Sequence, residues 1–103
     1  MTTTVTVIDE IAIPRDRVEE WSRRWRDDYL PGAGDRGMRV VRQCRRFTSP
    51  DTVTLEIQWE LPGIYEFYGM RAAAGADDAV SSFWQWTDSL ALSRARRVLE
   101  EVR

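Results

Sequence analysis

The sequence predicts an α+β domain: a four-stranded antiparallel sheet with helices on one face, in the order strand, helix, strand, strand, helix, strand. Two patterns point there. Thr52 to Glu60, T-V-T-L-E-I-Q-W-E, alternates apolar and polar residues, so Val53, Leu55, Ile57 and Trp59 share one face of a half-buried strand. Val18, Trp21, Trp25 and Tyr29 recur at three- and four-residue steps, the mark of an amphipathic helix. Breaker clusters at Pro31 to Gly37 and Ser49 to Asp51 separate these stretches from their neighbours.

Taken in order, Thr2 to Ile13 is rich in β-branched residues and reads as the first strand. Val5, Val7, Ile11 and Ile13 share a face, and Asp9 interrupts that stripe. Pro14 ends the strand and suits the start of a helix over Arg15 to Leu30. The outer face of that helix carries Glu19–Arg23, Glu20–Arg24, Arg23–Asp27 and Arg24–Asp28 at i,i+4, which describes a solvated surface. Pro31 to Gly37 is expected to be a loop, and Met38 to Phe47 a second strand.

A turn over Thr48 to Asp51 would set Arg42 opposite Ile57 and Cys44 opposite Leu55. That register, the favoured one, places Val40, Arg42, Cys44 and Arg46 on the face of Trp59. A one-residue slip would substitute Val41, Gln43, Arg45 and Phe47. After Pro62 a helix presents Ile64, Phe67, Tyr68 and Arg71, and Ala72 to Gly75 end it. Asp77 or Asp78 caps the next helix, which carries Val80, Phe83, Trp84 and Thr87 on one side. Arg94 to Val102 fits either helical or strand spacing, and the topology favours a closing strand.

This order is the ferredoxin-like βαββαβ arrangement. Its uncovered face would carry Thr4, Thr6, Glu10, Thr54, Glu56 and Gln58, with Ile8 among them. Such a surface suits a second copy of itself, so a symmetric homodimer is expected.

Composition narrows the chemistry. With 103 residues the chain is one domain. No apolar run approaches the roughly 18 residues of a membrane span, so no membrane partner is expected. The N-terminus lacks a basic segment followed by an apolar one, and no secretory signal is expected. Cys44 is the only cysteine, which excludes an intrachain disulfide and fits a reducing cytoplasm. A net charge of −2 gives no pull toward nucleic acid.

All 15 basic residues are Arg, and Lys, His and Asn are absent. A Ser-His-Asp triad, a Cys-His pair, a Schiff-base lysine and an imidazole metal ligand are therefore excluded. No CxxC, HExxH, Walker or GxGxxG pattern occurs, and no metal or cofactor is expected.

Five Trp, three Tyr and three Phe exceed what a small core requires. Trp21, Trp25 and Phe83 suit the core, and Trp25 with Trp59, Tyr65, Tyr68, Trp84 and Trp86 are candidates to line a pocket between sheet and helices. Trp84 and Trp86 sit two apart, so one helix face cannot bury both. Asp9 and Arg42 are the candidate catalytic residues. In the favoured register both interrupt helix-facing stripes roughly 10 Å apart, and buried charges are paired or functional. Arg42 would stabilise an enolate or phenolate and Asp9 would move a proton. Cys44 is expected to be a small core residue, and Arg94, Arg96 and Arg97 to be solvated beside Glu100 and Glu101.

The chain resembles the dimeric α/β-barrel superfamily, which includes antibiotic-biosynthesis monooxygenases and aromatic polyketide cyclases. The likeness is carried by the V-T-V-I-D-E-I-A-I strand, the W-S-R-R-W helix, the T-L-E-I-Q-W-E strand followed directly by a helix, and the late S-S-F-W-Q-W segment. It implies a homodimer and cofactor-independent chemistry on a small aromatic or polyketide-like molecule. Cofactor-free monooxygenases of the group often use Asn and several cyclases use His, and this chain has neither. The missing Asn turns the expectation toward cyclisation or aldol chemistry rather than oxygenation. The alternative is a non-catalytic dimeric binding or accessory protein.

Overall fold

The computed structural model describes residues 3–102. Strand β1 spans Val5–Pro14, β2 Arg39–Ser49, β3 Thr52–Leu61 and β4 Ser93–Glu100. They form one antiparallel sheet in the order β2-β3-β1-β4, the ferredoxin-like arrangement, and the tail closes the sheet as a strand. The expected start of the first strand at Thr2 lies outside the described residues. Between β1 and β2 run a 3-10 turn (Arg15–Arg17), helix α1 (Val18–Arg24), a π-helical turn (Trp25–Tyr29) and helix α2 (Leu30–Asp35). Helices α3 (Ile64–Gly75) and α4 (Asp78–Leu90) connect β3 to β4.

One sheet face is covered. Along β1 every second residue from Val5 to Ile13 is buried, and along β3 Val53, Leu55, Ile57, Trp59 and Leu61 are buried on the same side. Trp59 meets Trp25 at 5.7 Å and Tyr29 at 6.1 Å between ring centroids, which seats the π-helical turn on the centre of the sheet. Trp21 donates its indole N–H to Thr87 Oγ1 over 2.9 Å, so the one fully buried hydroxyl of α4 is satisfied. Asp77 caps α4 by accepting the N–H of Ala79 at 2.9 Å.

The helix does not stop at Pro31, as its sequence suggests, but continues to Asp35. Proline lacks an N–H, and its ring clashes with the carbonyl four residues back in a regular helix. The chain avoids that clash with one wide turn, in which the Leu30 N–H reaches the Trp25 carbonyl. Just past the end of the helix the chain turns at Gly37, whose φ of 92° suits a residue without a Cβ.

Strand β2 departs from the favoured register. Gln43 pairs with Ile57, Arg45 with Leu55 and Phe47 with Val53, so these residues share the helix-side face, and Phe47 is exposed there. Arg42, Cys44 and Arg46 lie opposite Gln58, Glu56 and Thr54 on the open face. Val40 still opposes Trp59, because a bulge at Val41 inserts one extra residue and switches the faces beyond it. Cys44 is accordingly a half-buried open-face residue and not part of the core.

The open face carries Thr6, Ile8, Glu10, Glu56 and Gln58 as expected, all half-buried. Arg97 pairs with Glu10 at 2.9 Å, and Arg46 reaches Glu10 and Glu56 at 4.0 and 3.8 Å. Thr54 is the exception, buried beneath Thr48, whose hydroxyl lies 2.7 Å from its own.

Candidate functional site

The site is built around Asp9. Its residue is 3% exposed in the middle of the covered stripe of β1, where a carboxylate without partners would be strongly disfavoured. Register sets Asp9 directly opposite Arg96 on β4. Arg96 grips it with a two-pronged fork, Nε to Oδ1 at 2.7 Å and Nη2 to Oδ2 at 3.0 Å. Trp59, on the other neighbouring strand, donates its indole N–H to Oδ2 at 3.0 Å. Arg96 Nη2 also donates to the Tyr29 hydroxyl at 3.3 Å, tying the network to the π-helical turn.

Burial works against the charge on Arg96, but the hydrogen bonds and negative charge of Asp9, helped by Tyr29, outweigh it and raise its pKa above the ordinary arginine value. Arg96 is a fixed cation at any working pH.

Beside this pair lies a cavity of about 350 Å³ between the sheet and α3 and α4. Asp9, Ile11, Arg94, Ala95 and Arg96 form its sheet side, and Arg71, Ala74, Gly75, Val80, Ser81 and Trp84 its helix side. The volume is at the small end of ligand-pocket sizes and suits a one- or two-ring molecule. Arg94 lies 4.7 Å from the centroid of the Trp84 ring and is clamped by Asp88 at 2.6 and 3.1 Å. That hydrogen bond holds the Asp88 carboxyl below its usual pKa and raises that of Arg94. Among the described residues no group of three or more His, Cys, Asp or Glu could hold a metal.

The expected pairing of Asp9 with Arg42 is not formed. The bulge in β2 turns Arg42 to the open face, where its Nε donates to Cys44 Sγ at 3.1 Å. Arg96, which the sequence placed in solvent, occupies the role instead. The signal for it was the i,i+2 spacing of Arg94 and Arg96, which sets both on one face once the tail is a strand paired to β1.

Of the expected pocket residues, Trp84 lines the cavity, Trp59 reaches Asp9 from the core beneath, and Trp25 is buried with its indole N–H unpartnered. Trp86 lies away from the cavity, packed on Phe83 at 6.0 Å with the Arg24 guanidinium 4.0 Å from its centroid. Tyr65 and Tyr68 are exposed on α3 and do not line it.

Neither a family model nor a curated protein matches this sequence. Solved structures do match its fold. A NIPSNAP family protein of unknown function from Agrobacterium tumefaciens is 13% identical, with a TM-score of 0.77 over 98% of this chain and 90% of that one. An uncharacterised NIPSNAP domain protein from Burkholderia xenovorans gives 0.74 at 13% identity over 95% and 94%. A candidate antibiotic biosynthesis monooxygenase from Nitrosomonas europaea gives 0.63 at 8% identity over 99% and 93%.

These likenesses establish a shared ferredoxin-like fold. The expected resemblance to the antibiotic biosynthesis monooxygenases holds as a shared fold, with NIPSNAP structures superposing at higher TM-scores. Among the described residues no helix is long and apolar enough to cross a membrane.

Trp59 and Trp25 offer an internal comparison, since both indoles are buried and only that of Trp59 has a hydrogen-bond partner. Trp59→Phe orphans part of the Asp9 carboxylate and is expected to destabilise the fold by about 1–3 kcal/mol more than Trp25→Phe. Urea denaturation of the two variants measures the difference, and equal losses would contradict the assigned bond.

Proposed function

We propose that the chain binds a small, flat, oxygenated molecule of the aromatic or polyketide type in the cavity beneath α3 and α4. The observation that carries this reading is the Arg96–Asp9 fork in the wall of a cavity that also presents Trp84, Val80 and Ile11. A guanidinium fixed in a partly dry site stabilises negative charge on a ligand oxygen far better than the same group in water. Arg96 thus takes the part the sequence suggested for Arg42: it steadies an enolate or phenolate, which supports cyclisation or aldol chemistry without a cofactor.

One observation favours a second reading, a non-catalytic binding protein. Asp9 accepts three hydrogen bonds from Arg96 and Trp59, which suits it to hold Arg96 in place rather than to move a proton.

Titrating the intrinsic tryptophan fluorescence with a panel of one- and two-ring phenols tests the site. Saturable quenching is expected, together with its loss in Ala74→Leu, which fills the cavity from α3 without touching the charged network. No saturable response from any compound, or undiminished response in the filled variant, contradicts the reading. Mass analysis of the bound compounds after incubation separates the two forms of it, a changed product supporting catalysis.

The open sheet face, with its half-buried Ile8 amid Thr6, Glu10, Gln58 and Arg97, supports a homodimer in which two sheets face each other. Light scattering is expected to report twice the 12.0 kDa chain mass. A stable monomer across micromolar concentrations would remove the dimer.

A further inference from the structure

The three arginines that line the cavity are not equivalent. Arg96 is matched by Asp9, and Arg94 by Asp88. Arg71 lines the helix side of the cavity and has no acidic partner within 4.0 Å among the described residues. Its exposed guanidinium leaves the cavity with one uncompensated positive charge.

Local structure holds that charge at the entrance. Phe67 and Met70, one turn behind and one residue before Arg71, are buried against the core, while Ala74, one turn on, lines the cavity. Arg71 therefore sits on the border between the covered side of α3 and solvent. Ala74 and Gly75, which line the cavity beside Arg71, are small, and a Cβ built on Gly75 meets nothing within 4 Å, so the α3 wall is open there.

Resting on the ligand-binding reading above, we infer that Arg71 makes the site selective for a monoanion, a flat one- or two-ring body that carries a single carboxylate at the α3 rim. A planar fork of donors matches a carboxylate in two hydrogen bonds, which a neutral amide or ester cannot reproduce. The ring body lies along Trp84 and Val80, and the Ser81 hydroxyl is a further donor at the same wall. A second carboxylate is disfavoured, because Arg94 is matched by Asp88, and Arg96, matched by Asp9 through Nε and Nη2, has only Nη1 left to meet a single ligand oxygen. Arg71 is exposed before binding and pays little to be there, unlike Arg96, which the fold itself requires.

Calorimetric titration of the full chain with 2-naphthoate, 2-naphthamide and naphthalene-2,3-dicarboxylate tests this. The monoanion is expected to bind about tenfold or more tightly than the amide, as a charge-assisted fork provides. In Arg71→Gln that preference disappears while the amide binds as before, and Arg71→Lys recovers part of it. Arg23→Gln, which alters an exposed arginine of α1 that does not line the cavity, leaves the preference intact. Equal affinity for acid and amide in the unaltered protein, tighter binding of the dicarboxylate, or a preference that survives Arg71→Gln each overturns the assignment to Arg71 and leaves the cavity reading standing. Failure of all three probes to bind overturns the cavity reading itself and this inference with it.

Discussion

One buried carboxylate organises this protein. Asp9 sits where β1 needs an apolar residue, and its charge can remain there only because Arg96 and Trp59 supply three hydrogen bonds. The two donors come from the two strands that flank β1, so the same contact ties the edge strand β4 to the centre of the sheet. Apart from Arg96, β4 offers the core little, since every one of its residues is largely exposed. Removing the partner of a buried carboxylate leaves an uncompensated charge and typically costs about 3–5 kcal/mol, a large share of the stability of a small domain.

The carboxylate also explains the helix above it. Tyr29 closes the network through its hydroxyl, and the wide turn from Trp25 to Tyr29 brings both rings onto Trp59. Pro31 forces irregularity on that helix, and the irregularity falls where the network needs a side chain to reach down. Wide helical turns often accompany functional sites, and here one stands over the buried Asp9 carboxylate and its arginine partner.

Much of the fold was legible in the sequence because it rests on periodicity. The alternation in Thr52 to Glu60, the spacing of Val18, Trp21, Trp25 and Tyr29, and the cap at Asp77 each report a local preference that packing did not override. The site was legible only in part. Asp9 stood out as a charge in an apolar stripe, but its partner depended on pairing between distant segments. A bulge at Val41 reverses the side chains of β2 from Arg42 to Phe47, and no residue near Val41 announces such a bulge. Arg96 lies in a run of arginines and glutamates whose composition reads as solvent-facing, and only its place opposite Asp9 distinguishes it. Pro31 read as a stop because the rule for regular helices makes no allowance for a π-helical turn.

Asp9 and Arg96 hold the site and the edge of the sheet together as a coupled pair. A double-mutant cycle with Asp9→Ala, Arg96→Ala and the double variant, followed by urea denaturation, measures that coupling without reference to any ligand. The pair predicts a coupling energy above about 2 kcal/mol, with the double variant more stable than the two separate losses would add to. Losses that add to within ~0.5 kcal/mol would show two independent residues and contradict the central claim.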